Sequence, residues 1–206
     1  ITAPFLLRRL KSDKAIISDL PDKIEQNELA LLTERQAALY QETLEQAMKA
    51  IEGIEATDSQ SLFVRQGLVL QMILALKQIC NHPDQYTGQG AYLPADSGKF
   101  QMLREICETI RDKHERVLVF TQYREITPHL NVFLESVFGR KGLVISGSVK
   151  VKERNQMADK FNSDTYVPYM ILTIKAGGTG LNLTRANHVV LFDRWWNPAV
   201  ESQAVD

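Results

Sequence analysis

The sequence predicts an α/β fold: a parallel sheet flanked by helices, with a helical hairpin inserted as a protrusion. Three observations carry that prediction. From about residue 97 onward, short apolar runs alternate with amphipathic stretches at the spacing of strand-helix-strand units. Glycine and proline sit between those runs as punctuation. Before residue 97 the alternation is missing, and two long helical patterns follow one another instead.

Taken in order, Ile1 to Pro21 holds PFLLRRLKSD and then ISDLPDK, a basic, proline-bounded stretch without sustained periodicity that reads as a linker over residues 1–22. Lys23 to Leu32 reads as extended. Thr33 with Gln36 then offers a capping box that opens a helix running to about Ile54, with Gly53 near its end. Ala38, Leu39, Leu44, Ala47, Met48 and Ile51 give it an apolar stripe. After a polar turn at Thr57 to Ser61, a second helix runs to about Asn81. It is apolar on most sides, through Leu68, Val69, Leu70, Met72, Ile73, Leu74 and Leu76, and is expected to be largely buried. A polar loop spans Asp84 to Asp96, and Ser97 caps the helix of SGKFQMLREICETIRD. Strand Val117 to Thr121, helix Arg124 to Phe138, strand Leu143 to Ile145, helix Val151 to Phe161, and strands Met170 to Leu172 and Val189 to Phe192 complete the alternation. The expected division is a linker at 1–22, a segment at 23–96 carrying the protrusion at about 33–82, and an α/β lobe at 97–206.

With 206 residues, 44% of them hydrophobic, the chain holds one α/β domain and an appendage. A formal net charge of −1 gives no global basic field, so any contact with nucleic acid has to come from a local patch of Lys, Arg and loop amides. Cys80 and Cys107 are too few for a disulfide scaffold and lack CxxC spacing, which fits a reducing compartment. The sequence shows no run of eighteen apolar residues and no signal-peptide pattern, so no membrane partner is expected. The abrupt start at Ile1 reads as that of a segment from a longer polypeptide.

The richest stretch is Ile171 to Pro198, ILTIKAGGTGLNLTRANHVVLFDRWWNP. Gly177, Gly178 and Gly180 free the backbone for positive φ and for close approach to a phosphate, or simply turn the chain. Thr173 and Lys175 flank that turn, and the amides of Ala176 to Gly180 can form a nest for a phosphate oxygen. Trp195 and Trp196 then stand at the carboxyl end of a strand, where open α/β sheets carry their sites; each indole serves either core packing or a polar surface. Thr121 and Gln122 end an earlier strand and are able to bond a phosphate or a neighbouring loop. Gly147 relieves strain at another strand end, while Lys150 and Lys152 either face phosphate or are simply solvated. Cys80 and His82 lack metal-ligand spacing and read as a structural cap, so no metal site is expected.

Several strings place these residues in a family. KAGGTGLNLT followed by DRWWNPAVESQAVD resembles motif V and the opening of motif VI of the Swi/Snf-type ATPases, double-stranded-DNA translocases of helicase superfamily two. RVLVFTQYREI resembles motif IV, and ISGSVKVKERNQMADKFN resembles the next motif at Gly147, Arg154, Phe161 and Asn162. KQICNHP resembles the LRQICNHP segment closing the family's helical protrusion, with Lys77 in place of the usual Arg, and FLLRR with LPDKIE resembles the junction between its two lobes.

The resemblance covers nearly all of Pro4 to Asp206 and implies the second, RecA-like lobe of such a motor. It implies double-stranded DNA and the amino-terminal RecA-like lobe of the same parent as partners. Thr121, Gln122, Gly147, Lys150, Thr173, Lys175, Ala176, Gly177 and Trp196 are implied to contact DNA or couple to it, and Gly178, Gly180, Asn182, Gln203 and Asp206 to face the nucleotide between the lobes. Ile174 departs from the pattern, since many relatives carry Thr there. DRWW is the variant common in bacterial members, which points to a bacterial source, with cytoplasmic, nucleoid-associated placement; a eukaryotic source would place it in the nucleus.

The chain contains no GxxxxGK[ST] loop, no DExx string and none of the arginines with which motif VI continues. ATP and magnesium are therefore expected in the two-lobe parent, with none bound by this segment alone, no catalytic residue within it and no hydrolysis by it in isolation. Two other readings are a lobe of an unwinding DNA or RNA helicase, which KQICNHP and RWWNP argue against, and a non-catalytic protein or nucleic-acid binding module.

Overall fold

Strands without polar alternation are satisfied only between two apolar layers, and the chain builds that arrangement. The computed structural model describes residues 24–55, 58–177 and 180–205; the linker at 1–22 lies outside them. Strands β1 (Val117–Thr121), β2 (Leu143–Ile145), β3 (Tyr169–Thr173) and β4 (His188–Leu191) form one four-stranded sheet in the order β2-β3-β1-β4. Every pairing is parallel. The central strands β1 and β3 are buried along their whole length, and the edge strands β2 and β4 only in part.

Alternation within the central strands sends side chains to opposite faces and so makes two cores. Val117, Val119, Tyr169 and Ile171 pack with Phe100, Leu103, Leu130 and Leu134 from α4 (Gly98–Asp112) and α5 (Thr127–Phe138). Leu118, Phe120, Met170 and Leu172 pack on the other face with Phe161 of α6 (Val151–Asn162). Because β1 and β3 are paired from Val117↔Tyr169 to Thr121↔Thr173, their carboxyl ends are flush and the following loops gather on one edge.

The helical pair is α1 (Glu34–Glu52) and α2 (Ser59–Asn81). The Thr33–Gln36 capping box forms as expected, with both reciprocal bonds present, and the Ser97 hydroxyl caps α4 at Phe100 N. Gln36 is fully buried. Its amide donates to the carbonyls of Ile79 (2.8 Å) and Cys80 (3.1 Å) and accepts from the backbone N–H of Gly98 (3.0 Å) and Thr33 (3.1 Å). Gly98 also lies where the extended segment 24–32 crosses the start of α4; a Cβ there would stand 1.7 Å from the Leu31 carbonyl oxygen. His82 ends α2 and begins α3 (Pro83–Thr87), accepting at Nδ1 from Asp84 N (3.1 Å) with its other nitrogen on the Leu93 carbonyl (3.0 Å). Both nitrogens are thus engaged within the fold.

Of three helix expectations, two need correction and one holds in part. The second helix is not largely buried: Leu76 and Ile79 are its buried apolar residues, while Leu62, Phe63, Val64, Leu70 and Leu74 are exposed. A helix in a hairpin presents one stripe to its partner, so all-round apolarity cannot all be covered. The α1 stripe holds in part: Ile51 is buried and Leu39, Leu44 and Ala47 partly so, with Gln36 and Thr43 buried as well, while Ala38 and Met48 are exposed. Helix α5 begins at Thr127 rather than Arg124, because Gln122 N and Tyr123 N are held by side chains and Pro128 starts the helix.

By length and composition, α2 would also suffice to cross a membrane. Its last turns, however, are built into the protein through Leu76, Lys77, Ile79 and Asn81. The remaining length is shorter than the roughly 20 apolar residues a span requires.

Candidate functional site

The carboxyl edge of the sheet is organised around one buried carboxylate. Asp193 directly follows β4 and the first residue of its loop, and it is 2% exposed. Its Oδ2 accepts from the Thr121 hydroxyl (2.5 Å) and from Asn81 Nδ2 (3.2 Å), and its Oδ1 accepts from Gln122 N (2.7 Å). Burial raises its pKa above the usual carboxylate value, against the opposing effect of these bonds and of Lys99. Lys99 at the start of α4 donates to Asn81 Oδ1 (2.8 Å) and to the Phe192 carbonyl (3.1 Å), and burial lowers its amine. Thr121 is therefore fully enclosed, with its hydroxyl spent on Asp193 rather than presented to solvent. Gln122 gives its N–H to the same carboxylate, and its side-chain Nε2 is buried without a partner among the described residues.

The loop after β4 is pinned from its other side as well. In α8 (Pro198–Val205), Glu201 is 4% exposed and accepts from Arg194 Nε (2.9 and 3.0 Å) and from Trp195 N (2.6 Å). Held at both ends, the loop turns its two indoles to different tasks. Trp195 packs against the second core, whereas Trp196 is 56% exposed, with Lys77 Nζ 4.8 Å from its ring centroid.

After β3 the chain does not enter an open loop at once. It makes a single helical turn, α7 (Ile174–Gly177), because Ile174 and Ala176 are both buried in the second core. The phosphate nest expected over Ala176 to Gly180 is corrected to that extent. Ile174, the departure from the family pattern, faces the core, which accounts for an apolar residue there. Thr173 is buried, while Lys175 is exposed beside the Trp195 ring at 5.9 Å. Gly178 lies outside the described residues. Gly180 has φ +75°, the left-handed conformation for which glycine was expected, and Asn182 accepts at its carbonyl from Asn162 Nδ2 (2.7 Å).

After β2, Gly147 and Lys150 lie in an exposed loop leading into α6. Arg154 bends back to donate to the carbonyls of Val149 (2.7 Å) and Gly147 (3.2 Å), so it shapes that loop instead of standing as a free helix cation. Gln203 falls within α8, and Asp206 lies outside the described residues.

The structure thus gathers Gln122, Lys150, Gly180 and Trp196 in loops, and Lys175 in the one-turn helix α7, on one edge, with Thr121 and Thr173 buried beneath them. Sequence reasoning missed Asn81, Lys99, Asp193 and Glu201. The available signal was charge in apolar company: Asp193 directly after VVLF, and Lys99 in the first turn of a core helix.

A parallel sheet with two covered faces and its loops gathered on the carboxyl edge is the architecture of a RecA-like α/β lobe. The description "Helicase conserved C-terminal domain" matches residues 98–206, and "SNF2-related domain" matches residues 1–85. This chain belongs to the SNF2-related, helicase C-terminal family. It is 41% identical to YwqA of Bacillus subtilis over 208 residues, 98% of this chain and 22% of that protein. It resembles the Sulfolobus solfataricus SWI2/SNF2 ATPase core in complex with double-stranded DNA, with 36% identity and a TM-score of 0.80 over 98% of this chain and 42% of that one. The C-terminal domain of the same Sulfolobus ATPase matches at 36% identity and TM-score 0.77, over 88% of this chain and 76% of that one. The chain therefore spans about a fifth of YwqA and under half of the Sulfolobus ATPase core.

Proposed function

We propose that this chain is the second motor lobe of an ATP-dependent, double-stranded-DNA translocase of Swi/Snf type. The observation that carries the reading is the carboxyl edge: exposed Trp196, Lys175 and Lys150 together with the left-handed Gly180, on a lobe similar to one solved with duplex DNA. Exposed lysines beside a left-handed glycine turn suit the phosphates of a duplex, which present regular charge and no base information. A net charge of −1 puts the grip in these loops and not in a global field.

The residues here do not by themselves fit a nucleotide and magnesium site. The sequence has no phosphate loop, and no group of three His, Cys, Asp or Glu side chains converges on a metal among the described residues. ATP and magnesium fall to the amino-terminal RecA-like lobe, on which this lobe closes. The isolated chain hydrolyses no ATP, and the parent acts where its DNA lies: the cytoplasmic nucleoid of a bacterium, or a nucleus.

The test is hydrolysis by the full-length parent with duplex, single-stranded or no nucleic acid. Stimulation by duplex beyond single strands is expected, and Trp196→Ala is expected to reduce movement along DNA more than ATP binding. Stimulation by single strands alone would favour an unwinding helicase.

A further inference from the structure

The helical pair and the carboxyl edge of the sheet meet at a polar seam, which Lys77, Gln78 and Asn81 of α2 cross. A cleft of about 340 Å³, lined in part by Tyr40, Ile73, Leu76 and Cys80, separates the body of the pair from the loop after β4. The last turns of α2 bridge it. Asn81 reaches Asp193 with Nδ2 (3.2 Å), accepts from Lys99 with Oδ1 (2.8 Å) and takes the Ser97 hydroxyl on its carbonyl (2.6 Å). One turn earlier, Lys77 donates to the Arg194 carbonyl (2.6 Å) while its ammonium lies 4.8 Å from the Trp196 ring centroid.

These contacts are selective. Ordering a lysine costs most of its side-chain freedom, and an ammonium at the rim of a cleft has water as an equal partner. Lys77 instead grips the backbone just ahead of the two indoles and stacks on the exposed one. Through Asp193, Asn81 joins the same helix end to Thr121 and Gln122. One turn of helix thus holds both the loop after β1 and the loop after β4, while Glu201 of α8 holds the latter from its far side. Without the α2 clasp, Trp196 would lose its lysine partner and the loop its tie to the helical pair, leaving it held by Thr121, Gln122, Lys99 and Glu201.

We propose that Lys77 and Asn81 are positioning residues that lock the helical pair to the Asp193–Trp196 loop, so that a tilt of the pair and a displacement of Trp196 occur together. The proposal rests on the reading that this loop lies along DNA. Neither residue touches nucleotide or the reacting phosphate. Their work is to convert motion of the protrusion into motion of the indole.

The full-length parent provides the test, with Lys77→Met, which keeps the stem and loses the donor, and Lys77→Arg, which restores a donor and is the residue usual in the LRQICNHP pattern. Three quantities are read: duplex-stimulated hydrolysis, duplex translocation, and the alkylation rate of Cys80 by peptide mass spectrometry. Cys80 is partly exposed and lines the cleft, so its reactivity reports the seam independently of DNA. Lys77→Met is expected to keep hydrolysis within about twofold and to lower translocation per ATP about tenfold, the worth of one charged hydrogen bond. Cys80 alkylation should quicken several-fold, and Lys77→Arg should restore both readouts. Unchanged translocation and unchanged Cys80 reactivity in Lys77→Met, with duplex stimulation intact, would overturn the clasp alone. A wild-type parent indifferent to duplex DNA would overturn the DNA reading and the clasp's role in movement with it.

Discussion

The sheet and the helical pair are both rich in aliphatic residues, yet they treat that apolar surface in opposite ways. β1 and β3 lie between two layers and bury every side chain. Helix α2 has one neighbour along most of its length and leaves Phe63 76% exposed and Leu70 59% exposed. Apolar composition alone does not fix burial; the number of layers that topology supplies does.

That contrast can be attacked by substitution, beginning with the largest expected effect. Phe120→Ala, in a strand with its side chain 1% exposed, should cost about 3–5 kcal/mol in chemical denaturation, since it leaves a cavity between packed layers. Asp193→Ala leaves the donors of Thr121, Gln122 and Asn81 without their shared acceptor. Its expected cost is roughly 2–4 kcal/mol, and it should loosen the helical pair and the sheet together. Thr33→Ala removes the capping box of α1 and should cost about 1 kcal/mol. Phe63→Ala on the exposed face of α2 should stay within about 0.5 kcal/mol of the parent. A loss there as large as in the strand would mean that α2 is covered in solution.

The subtlest test compares two carboxylates. Glu115, hydrogen-bonded to His188 at 2.5 Å, is held below the usual carboxylate range, first by that bond and then by the charges of His188 and Lys113. Its contribution to stability is present above the unfolded-state value and fades as pH falls through the depressed one. Asp193, raised by burial, has the opposite sign: protonation favours the folded state, and that stabilisation fades as pH rises through the raised value. Side-chain NMR titration should find Glu115 displaced downward and Asp193 upward, and His188→Ala should move Glu115 back up towards its ordinary value, with Lys113 still acting on it.

Features set by neighbours along the chain were legible in the sequence. The Thr33–Gln36 box, the Ser97 cap and the strand positions each depend on a few consecutive residues, and the structure reproduces them. The motif residues that stand in the edge loops were legible for the same reason. What escaped depends on distant partners. Asp193 joins Asn81 across 112 positions and Gln122 across 71, separations that no local pattern reports. The one-turn helix after β3 escaped because the three glycines announced a loop, while the burial of Ile174 and Ala176 decided otherwise.

Gln36 bears on the order in which the molecule assembles. Its amide answers backbone groups 43, 44 and 62 positions away, as well as one in its own first turn. The first turn of α1 thus has no settled interior until α2 has finished and α4 has begun, so the helical pair cannot complete itself before the sheet's first covering helix is in place. Contacts of such separation defer structure to a late, shared step and slow its arrival. The protrusion and the lobe should accordingly appear and vanish in one cooperative transition, despite looking like separate bodies.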